Sequence, residues 1–344
     1  MRVWLAALIS LFLAACGPRA PLTEESYVFG TRVELLVWGA PEAEARAAMR
    51  AVLAEFDRLH RAYHAWQPSE LTALNEAIAA GRPHEVSAEL AALIVRAQAL
   101  AKAGEYLFDP GIGRLVALWG FHGDEFKPAL PEAAALEKLV AAHPSIADLH
   151  VSGNTVTSKN RAVALDFGGY LKGEALDRAS AILKQHGIAN ALINIGGNVM
   201  ALGRRGERPW RVGIQHPRAA LSGGQPLATL DLYDGEAIGT SGDYQRFFEL
   251  DGKRYCHLID PRTGAPARGT QALTVLIPAG PQAGLRSDVF SKPLFIAGED
   301  WPRLARALGA SHVLRVDAAG GIAVTPELAA RLTFTAPADL RIVE

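Results

Sequence analysis

The chain has 344 residues, 49% hydrophobic and 21% charged, with a formal net charge of −1. That length can bury a large core, and that balance provides no basic field for nucleic acid, so no nucleic-acid partner is expected. Two cysteines, Cys16 and Cys256, leave little scope for a disulfide framework.

The first residues read MRVWLAALISLFLAAC: Arg2, then an apolar run from Val3 to Ala15 too short for a permanent membrane span. This is the pattern of a secretory signal over residues 1–15. Leu13-Ala14-Ala15-Cys16 resembles a bacterial lipoprotein box, in which Cys16 is acylated and becomes the mature N-terminus. The expected location is the cell envelope, facing the periplasm, with a lipid anchor in the inner or outer membrane. Residues 17–26, GPRAPLTEES, read as a polar tether. With Cys16 lipidated, Cys256 has no disulfide partner, and a metal site would have to use oxygen or imidazole ligands.

From residue 27 onward the pattern is that of one large domain. YVFGTRVELLVWG (27–39) predicts a strand pair interrupted at Gly30. Pro41 opens a helix whose buried face carries Met49, Val52, Phe56, Leu59 and Tyr63 at helical spacing. A second helix over 88–103 presents Leu90, Leu93, Ile94, Ala97 and Leu100 and stops at Gly104. Residues 131–142 suggest a third, and LHVSGNTVTSK a hairpin turning at Gly153-Asn154. A fourth helix from Lys172 to Gly187 precedes the strand ALINIGG. Strands follow near 210–216, 227–233, 254–260 and 271–278, then an apolar helix containing SDVFSKP (287–293), then a strand pair around HVLRVD and GIAVT. Strands and helices interleave without a regular βαβ beat, which predicts an α+β fold with mixed or antiparallel sheets.

Four glycine-containing turns stand out: LFDPGIG (107–113), DFGGYLKG (166–173), NIGGN (194–198) and GTSGDY (239–244). Glycines let backbone N–H groups approach a ligand, and in DFGGYLKG they coincide with Lys172 and a helix start, a combination suited to an anion. RYCHLIDPRTG (254–264) places His257 at a strand end, where an acid/base group can sit. In SDVFSKP, Asp288 and Lys292 are one helical turn apart and can pair; the sequence leaves open whether that pair is structural or chemical. There is no serine-hydrolase elbow and no HExxH motif.

Taken together and in order, FGT (29–31), WQPSELTALN (66–75), FDPGIGRLVALWGF (108–121), LDFGGYLKGEALD (165–177), INIGGN (193–198), WRVGIQHP (210–217), IGTSGDYQRFF (238–248), HLIDPRTGAP (257–266) and SDVFSKPLFIAG (287–298) resemble the ApbE-like FAD:protein FMN transferases. The resemblance implies a T-fold-like α+β domain that binds FAD, uses Mg²⁺, and moves FMN onto a threonine of an extracytoplasmic flavoprotein, releasing AMP. It implies that Phe29 and Trp66 line the nucleotide, that Phe108 and Asp109 form the loop over it, and that Gly168 and Glu174 flank the phosphate turn, the one that carries Lys172, with Thr263 near the FAD. It further implies His257 as general base, and Asp288 and the Leu171 carbonyl as metal ligands.

The chain departs from that pattern where a threonine metal ligand is usual, at Lys292; a usual threonine is Gly111, and a usual aromatic residue is Glu174. A protonated lysine has no lone pair for a metal. Three arrangements answer this: Ser291 supplies the oxygen, Pro293 frees the Val289 carbonyl, or Lys292 pairs with Asp288 and itself takes the cation's place. The third is favoured, which gives Lys292 a chemical role. An FAD pyrophosphatase, with Glu174 orienting water, and a non-catalytic FAD-binding lipoprotein are the alternative functions.

Overall fold

In the computed structural model, which describes residues 20–123, 125, 127–219 and 224–344, a nine-stranded sheet organises the chain. The expected signal and the Cys16 expected to be acylated lie outside the described residues. The sheet strands are β1 (Leu22–Val28), β2 (Thr31–Val37), β3 (Ala191–Ile195), β4 (Asn198–Leu202), β5 (Ala237–Gly242), β6 (Thr270–Ile277), β7 (His312–Asp317), β8 (Ile322–Val324) and β9 (Leu340–Ile342). They lie side by side in that order, antiparallel except for the β8–β9 pair. This is the α+β architecture expected from the sequence.

Two expectations need correction. Residues 22–26, read as tether, form the outer half of β1, in register from Leu22 opposite Val37 to Val28 opposite Thr31. Their charged side chains, with Glu25 on Arg32 and Glu24 on Arg46, are what an exposed sheet edge carries. The GTSG segment, read as a turn, is the second half of β5, because Gly239 must pass under a helix, as described below.

The sheet's long central strand β6 is buried along its whole length because both faces are covered. Leu273, Val275 and Ile277 face the helical side. Ala272 and Leu276, out of phase by one, face a three-stranded sheet in which Trp210–Ile214 pairs with Ala228–Leu232. Helices on the first side include α1 (Glu42–Ala62), α2 (Glu70–Ala80) and α3 (Ala88–Ala103). The short α4 (Gly113–Leu118) and α5 (Ala133–Ala142) follow, then α6 (Leu171–Gln185) and α7 (Ala283–Ile296). Among the described residues no helix is long and apolar enough to cross a membrane.

Glycines set how closely α6, α7 and β5 pack. A Cβ on Gly173 of α6 would lie 2.7 Å from the Asp288 Cβ and from the Leu285 Cα of α7. A Cβ on Gly239 of β5 would lie 2.3 Å from the Ser287 carbonyl oxygen. Asp177 of α6 reaches across to accept from the Gly284 and Leu285 N–H groups, both at 2.9 Å, so one helix caps the start of the other. The result buries Asp288 completely.

Candidate active site

A hairpin sets the position of His257. Phe247–Leu250 pairs with Lys253–Cys256 through an Asp251-Gly252 turn in which both residues have positive φ, and the register places Arg246 beside His257 at the open end. The hairpin is held against α4 by Trp119, Phe121, Phe248 and Tyr255, whose rings stack. His257 donates its backbone N–H to the Arg246 carbonyl at 3.0 Å, and its Nδ1 lies 3.2 Å from the same oxygen. A carbonyl only accepts, so Nδ1 carries the proton and Nε2 carries the lone pair. Burial, then the positive charges of Arg246, Lys172 and Lys292, push the imidazole down to about 3, so it is neutral at ordinary pH.

Asp288 and Lys292 form the second element. The Lys292 ammonium donates to Asp288 Oδ1 at 2.5 Å and to the Asp288 carbonyl at 2.7 Å, while the Gly173 N–H holds Oδ2 at 2.9 Å. Both partners of this pair are buried. Burial opposes ionisation of Asp288, but Lys292, Lys172 and the Gly173 N–H outweigh it and hold the carboxyl below its usual range. Pro293 sits in the last turn of α7, which continues to Ile296.

The third element is the turn preceding α6. Gly168 donates to Asp166 Oδ1 at 2.7 Å. The Gly169 backbone lies directly on the Lys292 stem: a Cβ there would be 2.9 Å from Lys292 Cε and 3.5 Å from the Phe108 ring. Lys172 stands in the first turn of the helix, its ammonium disfavoured by burial, supported by Asp288, and opposed by Lys292 and Arg246. Phe108, Gly168, Lys172, Lys292, Asp288 and His257 therefore gather in one region.

A run of aromatic rings leads away from it. Phe29 packs on Phe56 and on His60, His60 on His64, His64 on Trp66, and Trp66 stacks on His122 with centroids 4.9 Å apart. Phe29 has φ of 57°, a strained conformation for a non-glycine residue, and with Gly30 it forms the two-residue turn between β1 and β2. Trp66 is 38% exposed, an open apolar face at the edge of the site. His122 Nε2 contacts Asp166 Oδ2 at 3.0 Å. Burial opposes the charge on Asp166, and His122, Gly168 and Arg246 overcome it. Arg246 donates to the Phe121 and Gly123 carbonyls and lies over the Trp66 ring, linking the His257 hairpin to the ring platform.

Sequence reasoning missed Arg246, His122, Asp166, His60 and His64. The local signals were present: Asp166 opens DFGG, Arg246 precedes the Asp251-Gly252 hairpin, and His60 lies in the last turn of α1 with His64 just past its end.

Several predicted site residues are placed differently. Glu174 is buried with its carboxylate on Arg178 at 2.9 Å and Arg96 at 3.3 Å. It joins a network with Glu55, Glu89 and Arg58 on α1 and α3. One residue step turns a helix by about 100°, so Glu174 points away from the face that Gly173 presents to Asp288. Thr263 is exposed in the turn after Asp260, where its hydroxyl accepts from the Ala265 N–H. Asp109 is buried and ties its loop to residue 146, accepting from the Gly111 N–H at 2.7 Å and the Ile146 N–H at 2.8 Å; it shapes the loop that presents Phe108. A Cβ on Gly111 would lie 2.4 Å from the Ile146 nitrogen, so a threonine has no room there. The Ser291 hydroxyl is buried, 2.7 Å from both the Ser241 hydroxyl and the Asp288 carbonyl. Leu171 is the first residue of α6, its side chain in the core.

The profile of the ApbE family matches residues 29–314. The chain belongs to this family. It is 44% identical over 332 residues to a FAD:protein FMN transferase of Rhodobacter capsulatus, covering 95% of this chain but only 62% of that relative. It is 32% identical over 298 residues to a FAD:protein FMN transferase of Klebsiella pneumoniae, covering 83% of each. In structure it is similar to the ApbE protein of Thermotoga maritima, with a TM-score of 0.81 at 30% identity over 90% of this chain and 99% of that one. It is also similar to the flavin transferase ApbE of Vibrio cholerae, with a TM-score of 0.77 at 26% identity over 90% and 98%.

The residues of this ApbE chain do not fit a divalent cation at Asp288. Both carboxylate oxygens and the carbonyl are engaged, two of the three by an ammonium, and Ser291 is turned to Ser241. Among the described residues no three His, Cys, Asp or Glu side chains are grouped to hold a metal.

Proposed function

We propose that the protein transfers the FMN half of FAD onto a threonine hydroxyl of a redox protein outside the cytoplasm, releasing AMP. The observation that carries this reading is His257, a neutral imidazole whose Nδ1–H is held by the Arg246 carbonyl and whose Nε2 is left as a base beside Lys172, Lys292 and Arg246. Membership of a family whose curated relatives are named FAD:protein FMN transferase supports it.

In the step proposed, the threonine oxygen bonds to the FMN phosphorus. The bond from that phosphorus to the bridging oxygen breaks, and AMP departs with that oxygen. The hydroxyl proton passes to His257 Nε2, whose basicity rises once the anionic pyrophosphate offsets the Arg246, Lys172 and Lys292 charges that add to burial in depressing it in the free protein. Those cations balance the charge on the transferring phosphate. Trp66 and Phe29 offer ring surfaces for the nucleotide. A lipid-anchored chain, acylated at Cys16, would present this site to periplasmic acceptors; replacing Cys16 by serine should release the protein from membranes.

The test is product analysis after incubation with FAD and an acceptor fragment. Transfer yields AMP and flavin bound to protein. Hydrolysis would yield AMP and free FMN, and passive carriage would leave FAD intact. Glu174, the carboxylate expected to orient water in the hydrolytic alternative, is held by Arg178 and Arg96.

A further inference from the structure

Resting on the transferase reading, we infer that the Lys292 ammonium, paired to Asp288 beneath the turn before α6, is the built-in cation that meets the pyrophosphate of a flavin dinucleotide, so that nucleotide binding by this chain needs no divalent metal.

The geometry supports this in four ways. A Mg²⁺ ion takes near-octahedral oxygen coordination, yet each oxygen that Asp288 offers already has a hydrogen-bond donor. An entering ion would have to expel Lys292 from a buried position and then share the space with Lys172 and Arg246, whose charges already reach that region. The Ser291 hydroxyl is already engaged by the Ser241 hydroxyl and the Asp288 carbonyl. Finally, the lysine stem runs under the Gly169 backbone, where a Cβ would lie 2.9 Å from Lys292 Cε, which brings the ammonium to the base of an exposed glycine turn.

A purely structural pair is a poor account of the same residues. Burying two charges is expensive, and an apolar pair of similar volume would serve packing as well or better. Here the pair sits between a glycine turn, the first turn of a helix of 15 residues and a neutral histidine. A primary ammonium there can donate to Asp288 and to a phosphate oxygen at once, since it has three N–H groups.

The experiment is calorimetric titration of the full-length protein with FAD, in EDTA and in Mg²⁺, with metal content measured in parallel. The dissociation constants should agree within about twofold in the two buffers, a difference of less than 0.5 kcal/mol. The double variant Asp288→Asn, Lys292→Met removes both charges while leaving an acceptor for Gly173, and should bind FAD about tenfold or more weakly, as loss of a charge-assisted hydrogen bond predicts. Lys292→Thr, checked for folding by circular dichroism, should bind FAD better with Mg²⁺ than with EDTA. Wild-type binding that collapses in EDTA, or one tightly held divalent ion per chain, overturns the inference while leaving the transferase reading intact. Failure to bind FAD in either buffer overturns both.

Discussion

Lys292 donates to the carboxylate and to the main-chain carbonyl of Asp288, one turn earlier on the same helix, and Asp288 is fully buried. A single substitution at either end leaves the other charge uncompensated. Lys292→Met is therefore expected to lower unfolding free energy by about 3–5 kcal/mol, and adding Asp288→Asn should recover most of that. Urea denaturation measures both; equal stability of the single and double variants would remove the pair from the stability of the fold.

Close packing of α6 on α7 depends on Gly173. Gly173→Ala forces a Cβ to 2.7 Å from Leu285 Cα and from the Gly284 carbonyl, so backbone has to move, at a cost of about 1–3 kcal/mol. Gly280→Ala, whose Cβ would meet nothing closer than 3.9 Å, should change stability by less than about 0.5 kcal/mol. Thermal melts of the two variants give the comparison.

His257 sets a pH dependence of known sign. Its folded value of about 3 lies below the ordinary 6.5, so between those pH values the unfolded chain binds a proton that the folded chain refuses. This histidine lowers stability progressively as pH falls from 6.5 towards 3 and has no effect on the slope above 6.5. Denaturation of wild type and His257→Gln across that range should show a shallower acid decline in the variant. Parallel declines would mean that the imidazole is not held neutral by its surroundings.

Trp66 is the exposed face of the ring platform, stacked on His122 and touched by Arg246. Trp66→Ala should weaken FAD binding by roughly 0.5–1.5 kcal/mol beyond lost contact area, and Trp66→Phe by less. Quenching of tryptophan fluorescence by FAD should also fall in both. Unchanged affinity in the alanine variant would move the dinucleotide off this platform.

Glu174 separates structure from chemistry. Glu174→Gln breaks a buried ion-pair network with Arg178 and Arg96 and should cost stability, yet leave the rate of flavin transfer by folded protein unchanged. A hundredfold fall in that rate would return the carboxylate to the reacting atoms.

Much of this was legible in the sequence, for physical reasons. The helix over 88–103 was readable because its apolar face repeats at helical spacing and Gly104 ends it. The convergence of Phe108, Lys172, His257 and Asp288 came from motif order, which composition and periodicity alone do not give. α2 was missed although Ser69 and Thr72 form a capping box at its start. β5 was missed because its glycines, which usually mark turns, serve here to admit α7. Glu174 was misplaced because a motif fixes a residue along the chain, whereas the helix angle decides which neighbour its side chain meets. The Arg246 position was hidden in strand register, although Asp251-Gly252 is a hairpin signal that fixes it.

The most direct test of the account is the intact mass of an acceptor fragment bearing a modifiable threonine, after incubation with FAD and either wild-type protein or His257→Gln. The account predicts an added FMN phosphoester on threonine with wild type, with one AMP released per adduct, and a rate lower by about 10²–10⁴ with the variant. An unmodified acceptor beside AMP and free FMN, or equal rates for the two proteins, would contradict it.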